Sequence, residues 1–329
     1  MAKVIAVRSI GWTEAGWDET IGVLESAAHE VRAVEPGEGS PRLAALVGDA
    51  AALLVEITPV PASVIERAPK LRVIGKGGAG VDSIDVAAAT ERGILVCNTP
   101  GSNSVSVAEH TLALLLALTR RLRQLDEATR KGRGWDPWPP AVGEELAGRQ
   151  LGVVGTGQTG RAVIRRARAF DLHIVAHDTQ PDPDLVAEGV RYVPLDELLA
   201  TSEVVTLHVP LTPETEGLID RVALERMPRG AYLINVSRGG VVEEGALLEA
   251  LETGRLAGAG LDVFAVEPAL DHPLFQSERV MLTPHAAGLS HAAIAAARIE
   301  SARNIVAVLE GRPPMSVVNP RAGGGVDTS

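Results

Sequence analysis

Short apolar runs alternate with longer amphipathic segments along the amino-terminal third of the chain. Runs rich in valine, isoleucine and leucine predict strands at Lys3–Arg8, Ala51–Val55, Arg72–Gly75 and Ile94–Cys97. Apolar positions at helical spacing predict helices at Glu19–His29, Pro61–Arg67 and Ser83–Arg92. This alternation indicates βαβ units around a parallel sheet.

A single long helix is predicted from Val105 to Lys131, and the proline-rich loop Pro137–Pro140 marks a break after it. A second alternating series then begins at Gln150. Its predicted strands are Leu151–Gly155, His173–Asp178, Val204–His208, Ala231–Val236, Gly258–Val263 and Val280–Thr283. Its predicted helices are Gln158–Phe170, Leu195–Ala200, Val222–Arg226 and Glu244–Thr253, and a last helix follows at Ala292–Leu309. The second series therefore predicts a complete doubly wound domain inserted into the first.

Composition and charge exclude several classes of function. The net charge of −11 opposes general binding to nucleic acid, because phosphate contacts need clustered lysine and arginine. Cys97 is the only cysteine, so no internal disulfide or cysteine-based zinc site can form, and no spaced acidic and histidine cluster predicts another metal site. The amino terminus lacks a signal peptide, and the apolar stretch Thr111–Leu118 is far shorter than the ~20 residues of a membrane span. We expect a soluble, cytoplasmic protein with neither nucleic acid nor a membrane as partner.

A glycine motif follows the predicted strand that ends at Val154 and opens the next helix. In the motif GTGQTG, Gly155 permits a tight turn, Gly157 lets the backbone approach a pyrophosphate, and Gly160 lets helix and strand pack closely. The free N–H groups of the helix would bind the phosphates. Such motifs also mark ordinary turns, but the strand before it and the helix after it favour dinucleotide binding.

Asp178 stands at the end of the next predicted strand, where the fingerprint places an acidic residue. Its carboxylate can accept hydrogen bonds from the adenosine ribose and would repel a 2′-phosphate. No arginine or lysine occurs in residues 179–182, so we expect NAD as cofactor rather than NADP. The alternative is that Asp178 is only a turn residue at the strand end.

Four segments of the chain resemble the D-isomer-specific 2-hydroxyacid dehydrogenases, and are most similar to the phosphoglycerate dehydrogenase branch. They are residues 75–82 (GKGGAGVD), 98–109 (NTPGSNSVSVAE), 235–240 (NVSRGG), and the group 261–264 (LDVF), 267–268 (EP) and 283–288 (TPHAAG). The resemblance extends from about Leu71 to Leu309. It implies an α/β fold of two doubly wound parallel-sheet domains, in which a Rossmann nucleotide domain (104–291) is inserted into a flavodoxin-like substrate domain (1–103 and 292–329).

Arg238, Glu267 and His285 each follow a predicted strand of the inserted domain, and ligands of such sheets bind at the carboxyl ends of the strands. Arginine suits a carboxylate, histidine can exchange a proton near neutral pH, and a glutamate beside the ring favours its protonated form. Each residue alone is ordinary in a turn or loop. The resemblance implies the same three as the catalytic set, with His285 as acid/base.

The resemblance also implies residues that bind the substrate and the cofactor. The amides of Ala79 and Gly80 would contact the substrate carboxylate, with Lys76 and Asn103 beside it. The cofactor side is expected to comprise Gly155, Gly157, Gln158, Thr159, Gly160, Asp178, His208, Pro210 and Asp262. We expect a cleft between the domains that closes on the substrate, and a homodimer supported by the apolar helix after Asn103.

The chain departs from the phosphoglycerate branch at three points. Lys76 stands where that branch usually has arginine, and Trp135-Asp136-Pro137-Trp138 replaces the basic residues common after this tryptophan. These two departures put 3-phosphoglycerate itself in doubt. The chain also ends soon after the last predicted helix, so we expect the serine-sensing regulatory domain to be absent.

We therefore expect an NAD-dependent D-2-hydroxyacid dehydrogenase (EC 1.1.1.-). It would move a hydride between NAD(H) and C2 of a small anionic 2-hydroxy or 2-oxo acid of the phosphoglycerate, hydroxypyruvate or glyoxylate type. One alternative is that the same site oxidises phosphite or acts on a phosphonate-bearing acid. An alternative of another class is an NADH-sensing binding protein, similar to the corepressor members of this family.

Overall fold

The computed structural model describes residues 1–8, 13–35, 40–135 and 141–323. The chain divides into two compact units, one formed by Met1–Asn103 with Leu289–Ser329 and the other by Ser104–Gly288. Each unit contains one parallel sheet with an apolar core on each face. The predicted α/β fold class is confirmed.

The sheet of the first unit consists of β1 (Lys3–Val7), β2 (Glu30–Val34), β3 (Ala52–Val55), β4 (Val73–Lys76) and β5 (Leu95–Cys97). Their order in the sheet, β2-β1-β3-β4-β5, is that of flavodoxin-like folds. Successive residues of β1 enter opposite cores, Ile5 and Val7 on one face and Val4 and Ala6 on the other. Both faces of β1 and β3 are buried, which is why these two strands are apolar runs in the sequence.

The sheet of the second unit consists of β6 (Gln150–Val154), β7 (His173–His177), β8 (Arg191–Tyr192), β9 (Val204–Leu207), β10 (Ala231–Asn235), β11 (Leu256–Leu261) and β12 (Val280–Leu282). Their order is β12-β11-β10-β9-β6-β7-β8. Counted from β6, the first six strands have the 3-2-1-4-5-6 order of dinucleotide-binding folds. The order reverses between β6 and β9, so the carboxyl ends of these two strands are where a ligand is expected.

The helices in the described ranges are α1 (Trp17–Ser26), α2 (Ser40–Leu46), α3 (Ala62–Ile65), α4 (Val86–Glu91), α5 (Ser104–Thr119), α6 (Leu122–Arg130), α7 (Gln158–Ala167), α8 (Pro183–Ala187), α9 (Leu195–Thr201), α10 (Arg221–Arg226), α11 (Glu244–Glu252) and α12 (His291–Leu309). Short 3-10 helices occur at Arg168–Phe170, Gly239–Val241, Pro273–Gln276 and Pro320–Gly323. None of these helices is long and apolar enough to cross a membrane.

The prediction of one helix from Val105 to Lys131 is wrong. The structure has two helices, α5 and α6, and Arg121 between them adopts a left-handed conformation with φ of 55°. The carbonyl oxygen of Thr119 at the end of α5 accepts a hydrogen bond of 2.7 Å from the backbone N–H of Glu144. This long-range contact supports the break, whereas the leucine spacing runs through it without interruption.

Candidate active site

The glycine loop between β6 and α7 has no room for side chains at two positions. Gly155 has φ of 89°, and a Cβ atom there would lie 2.7 Å from the His208 carbonyl oxygen. A Cβ atom on Gly160 would lie only 2.0 Å from the Gly155 carbonyl oxygen, which shows how closely α7 packs against the loop. By contrast, a Cβ atom on Gly157 would meet no atom within 4 Å.

Gly157 is the residue before α7, and no side chain among the described residues caps this end of the helix. The first N–H groups of α7 therefore lack a side-chain acceptor beside an open surface, which fits the pyrophosphate of a dinucleotide. Gln158 and Thr159 are the first two residues of α7. The Thr159 hydroxyl lies 3.5 Å from the Ser104 hydroxyl oxygen.

Asp178 follows β7, and its carboxylate is held by the glycine loop. Oδ2 accepts a hydrogen bond of 2.6 Å from the backbone N–H of Thr156, and Oδ1 accepts one of 3.0 Å from the N–H of Gln180. Burial opposes ionisation of this carboxyl group, but the hydrogen bonds from Gln180 and Thr156 outweigh that effect and lower the pKa of Asp178. The group is therefore an anion where the adenosine ribose is expected.

His208 follows β9 at the point where the strand order reverses. Its Nε2 atom lies 2.9 Å from the Thr206 hydroxyl oxygen. The residue is partly exposed, but within the described part of the chain its Nδ1 atom is buried and has no hydrogen-bond partner. Burial lowers the pKa of His208 to about 3, so the ring is neutral near pH 7. Pro210, two residues on, is exposed.

The carboxylate of Asp262, at the end of β11, organises the loop that contains His285. It is almost fully buried and accepts hydrogen bonds from the Thr283 hydroxyl at 2.6 Å and from the N–H groups of Ala286 and Ala287 at 2.7 and 2.9 Å. The Asp262 carbonyl oxygen accepts the N–H of His285 at 2.7 Å, and His285 has φ of 53°. These contacts hold His285 in a left-handed turn that non-glycine residues seldom adopt.

His110 on α5 extends this network, because its Nε2 atom lies 2.9 Å from the Thr283 hydroxyl oxygen and 3.7 Å from Oδ1 of Asp262. From the sequence, His110 is an ordinary helical histidine. No spacing signal connects it to a residue so far along the chain. The network places a buried carboxylate and a second imidazole beneath the turn that carries His285.

The structure brings His285 and Glu267 together. Nδ1 of His285 lies 2.7 Å from Oε2 of Glu267, and Oε1 of Glu267 accepts the N–H of Phe264 at 3.0 Å. The His285 side chain is 50% exposed, and within the described residues its Nε2 atom makes no hydrogen bond. The carboxylate is thus fixed at one oxygen and holds one side of the imidazole, which leaves the other nitrogen able to exchange a proton with a ligand.

Arg238 is placed beside the same loop. It lies in extended backbone after β10, and its carbonyl oxygen accepts a hydrogen bond of 2.9 Å from the Asn235 side-chain amide. The next residue, Gly239, packs directly on the backbone of Phe264, because a Cβ atom there would lie 1.9 Å from the Phe264 carbonyl carbon. The loop that carries Arg238 therefore contacts the loop that carries Glu267.

A second carboxylate–imidazole pair supports the Glu267 loop. Oε1 of Glu244 on α11 accepts the N–H of Ala265 at 2.8 Å, and Oε2 lies 3.1 Å from Nε2 of His272. The His272 ring also packs against Phe264 and Phe275, with ring centroids 5.7 Å apart in both pairs. Glu244 and His272 are not predicted as site residues, because no sequence pattern connects these two positions.

The candidate substrate residues of the first unit lie around the loop after β4. The N–H of Gly78 donates to the Thr99 hydroxyl at 2.8 Å, and the Asn98 side-chain amide donates to the Ala79 carbonyl oxygen at 2.7 Å. Because the C=O and N–H of a trans peptide point in opposite directions, the Gly80 N–H points away from Asn98. This orientation suits an anion outside the loop.

Lys76 and Asn103 are the remaining predicted substrate residues. The Lys76 ammonium donates to the Gly77 carbonyl oxygen at 3.0 Å, and Asn103 immediately precedes α5. Of the segment that departs from the phosphoglycerate branch, Asp136, Pro137 and Trp138 lie outside the described residues. In the parts of the chain that the structure describes, no cluster of three or more histidine, cysteine or acidic side chains could hold a metal ion.

The family model of the D-isomer specific 2-hydroxyacid dehydrogenase NAD-binding domain matches residues 112–287, which is more than half of the chain. The chain belongs to this family. The family resemblance of the four sequence segments is confirmed, and so is NAD(H) as the cofactor of this dehydrogenase. The glycine loop and Asp178 lie within the matched region.

The dehydrogenase is similar to curated proteins and to solved structures over most of its length. It is 45% identical over 278 residues to a glyoxylate reductase of Korarchaeum cryptofilum, a match that covers 83% of this chain and 84% of that protein. It is 42% identical over 301 residues to a D-3-phosphoglycerate dehydrogenase of Mycobacterium tuberculosis, covering 90% of this chain but only 56% of that protein. A crystal structure of a Thermus thermophilus protein covers 96% of this chain and is itself 99% covered, with 39% identity and a TM-score of 0.85.

Proposed function

We propose that this NAD-dependent dehydrogenase interconverts a small D-2-hydroxy acid and its 2-oxo acid, of the glyoxylate, hydroxypyruvate or phosphoglycerate type. The observation that supports this proposal best is the His285–Glu267 pair. Its 2.7 Å contact orients an exposed imidazole on a loop at the carboxyl end of the sheet. Bound NAD(H) supplies the hydride acceptor or donor.

His285 would act as general acid/base through Nε2. With Nδ1–H directed at the Glu267 carboxylate, a neutral ring has an acceptor at Nε2 for the C2 hydroxyl proton during oxidation. During reduction, the imidazolium would return that proton to the C2 oxygen. The nearby negative charge of Glu267 stabilises the imidazolium, so the carboxylate would both orient and electrostatically support His285.

Arg238 would bind the substrate carboxylate and polarise the C2 oxygen. Its planar guanidinium can form two parallel hydrogen bonds with a carboxylate, which lysine cannot do. The contact of Gly239 with Phe264 would keep the backbone of Arg238 in a fixed relation to the Glu267 loop, and the guanidinium donates to the Ser237 carbonyl oxygen at 2.7 Å. In the first unit, Lys76, Asn103 and the amides of Ala79 and Gly80 are the proposed substrate contacts.

The proposed cofactor contacts are Gly155, Gly157, Gln158, Thr159, Gly160, Asp178, His208, Pro210 and Asp262. Gly157 and the start of α7 suit the pyrophosphate, and Asp178 suits the adenosine ribose. For Asp262, the carboxylate and the carbonyl oxygen both accept hydrogen bonds from the His285 loop, and the N–H donates to the Asn235 carbonyl oxygen, so a cofactor contact there would use an oxygen that already accepts a hydrogen bond.

A substrate panel tests the proposed reaction. NADH oxidation is measured with glyoxylate, hydroxypyruvate, pyruvate, 2-oxoglutarate and 3-phosphohydroxypyruvate, and NAD reduction is measured with phosphite. Reduction of at least one 2-oxo acid, lost in His285→Ala, is the expected result. Turnover of phosphite without any 2-oxo acid would replace the proposed substrate class, and tight NADH binding without turnover would favour a nucleotide-sensing protein.

We also propose that the protein is a cytoplasmic homodimer. Val105 on α5 and Leu122 on α6 are 54% and 51% exposed, which suits burial against a second copy of the chain. Light scattering after size-exclusion chromatography would test the dimer, and charged substitutions at Val105 and Leu122 should shift it towards the monomer.

The proposed cytoplasmic location is supported by Cys97, the only cysteine in the sequence. It is buried, and burial raises its pKa to about 12, which suits a reducing compartment.

A further inference from the structure

A chain of three hydrogen bonds leads from the edge of the second sheet to the carboxylate of Asp178. The N–H of Asp182 donates to the Tyr192 hydroxyl oxygen at 3.1 Å, and the Tyr192 hydroxyl donates to Thr156 Oγ1 at 2.9 Å. The Thr156 hydroxyl then donates to Oδ2 of Asp178 at 3.1 Å. Each hydroxyl donates once and accepts once, so all donors point towards the carboxylate, an arrangement that strengthens each bond.

This chain leaves little freedom to the Asp178 carboxylate. Oδ2 accepts both the N–H and the hydroxyl of Thr156, so its two lone-pair directions are occupied. Oδ1 accepts the N–H of Gln180, and the Thr179 hydroxyl is 3.5 Å away, which is too long for a strong bond. Oδ1 is therefore the oxygen that can accept a further hydrogen bond.

Thr156 is well placed to hold the Asp178 carboxylate. It is the residue between the first two glycines of the loop, and it is only 4% exposed, so its hydroxyl has no ready alternative partner in water. Tyr192 belongs to the edge strand β8, far from the glycine loop in sequence. The two hydroxyls thus connect the strand edge to the glycine loop, and through Thr156 to the carboxylate expected to select the cofactor.

We infer that Thr156 and Tyr192 are positioning residues for cofactor selection, which act by fixing the Asp178 carboxylate. A carboxylate free to rotate could turn away and admit a ribose 2′-phosphate. A carboxylate held by three donors presents its charge and Oδ1 to the ribose in one orientation, which favours NAD and excludes NADP. The inference rests on the proposed contact of Asp178 with the adenosine ribose.

The experiment compares Thr156→Val, Thr156→Ser and Tyr192→Phe with the wild type. Thr253→Val is the matched control, because Thr253 is an exposed residue at the end of α11 whose hydroxyl, within the described ranges, bonds only to carbonyl oxygens of the same helix. Dissociation constants for NADH and NADPH are measured by calorimetry, and kcat/KM is measured with both cofactors. Thermal unfolding of each variant shows whether the fold is retained.

Thr156→Val should weaken NADH binding about fivefold, the scale of one lost hydrogen bond, and should weaken NADPH binding less or strengthen it. Tyr192→Phe should move the NADH/NADPH affinity ratio in the same direction by about twofold, since its effect passes through Thr156. Thr156→Ser should restore the wild-type ratio, because it keeps the hydroxyl. A merely structural role would change stability without changing this ratio.

Asp178→Asn separates failure of the inference from failure of the proposed ribose contact. If Asp178→Asn keeps the wild-type preference for NADH, the ribose contact is wrong and the inference falls with it. If Asp178→Asn loses that preference while Thr156→Val and Tyr192→Phe keep the same ratio as Thr253→Val, the ribose contact stands and the inference is overturned.

Discussion

Gly239 and Phe264 approach each other so closely that the Phe264 backbone occupies the space that a side chain on Gly239 would need. The first three atoms that a Cβ on Gly239 would meet belong to Phe264 and Ala265, at 1.9, 2.1 and 2.2 Å, and all are backbone. No rotamer change can relieve such an overlap, so any larger residue must move one of the two loops. The spacing of Arg238 and Glu267 therefore depends on this glycine.

Gly239→Ala should lower kcat/KM by about 100-fold, the cost expected when reacting groups are displaced by about 1 Å. Gly245→Ala is the control, because a Cβ atom there meets nothing within 4 Å and the residue lies inside α11. The control should keep full activity and gain roughly 0.5–1 kcal/mol of stability, since alanine favours the helix over glycine. Steady-state kinetics and thermal unfolding measure both, and an active Gly239→Ala variant would show that the loops tolerate the shift.

His285→Ala should lower kcat by about 100-fold or more, the scale of general acid–base catalysis. Glu267→Gln should have a smaller effect, about tenfold, because glutamine can still accept the Nδ1–H but no longer stabilises the imidazolium by charge. The exposed residue His291 at the start of α12 offers a matched control, and His291→Ala should leave kcat unchanged. Full activity of His285→Ala would remove His285 from the proposed chemistry.

His208 should make the stability of the protein depend on pH. Its pKa is about 3 in the folded state, whereas in the unfolded state it titrates near 6.5, so below about pH 6.5 the unfolded state binds the extra proton. Stability is therefore lost as the pH falls below about 6.5 and continues to fall towards the folded-state pKa. The free energy of unfolding, measured with urea at pH 7 and at about pH 5, should differ less between the two pH values for His208→Asn than for the wild type. If the free energy of unfolding changes equally in both proteins, groups other than His208 cause the pH dependence.

Arg298 and Glu56 form a buried ion pair in the first unit, at 0% and 2% side-chain exposure, with Nε and Oε1 2.7 Å apart. Arg298 also donates to the carbonyl oxygens of Thr13 and Ala15. Arg298→Met should therefore cost about 3 kcal/mol or more, because it removes the cation that donates two hydrogen bonds to the buried Glu56 carboxylate. Adding Glu56→Leu should recover part of that loss.

Urea unfolding of the two variants can be followed through Trp17, whose ring lies 5.4 Å from the Arg298 guanidinium carbon. The single variant should unfold at lower urea than the double variant. If the double variant is the less stable of the two, the Glu56 carboxylate that remains is not the cause of the loss in Arg298→Met.

Much of this fold could be predicted from the sequence because its strands are buried on both faces. The runs that form β1 and β3 are apolar throughout, so their place in a parallel sheet is visible without any contact. The glycine motif was equally visible, since Gly155 and Gly160 occupy positions where the backbone itself leaves no room.

Other features depend on contacts that leave no local signal. Strand β2 gives no continuous apolar run, because charged residues interrupt it at Glu30 and Arg32, and none of its residues is buried at the edge of the sheet. The break at Arg121 accompanies a bond to Glu144, and the support of the Glu267 loop comes from Glu244, both distant in sequence. The role of Asp262 within the His285 turn is of the same kind, because its partners are more than 20 residues away.

The first unit is built from both ends of the chain, and this has a consequence for biosynthesis. One face of its sheet is covered by α12, whose residues Ser301 and Ile305 pack so closely on β4 that only a glycine fits at position 75. Ser301 and Ile305 must therefore leave the ribosome before that face can be covered, whereas all of the second unit has left it by Gly288. We expect the inserted unit to acquire its structure first during translation, with an apolar sheet face of the first unit exposed to chaperones until α12 follows.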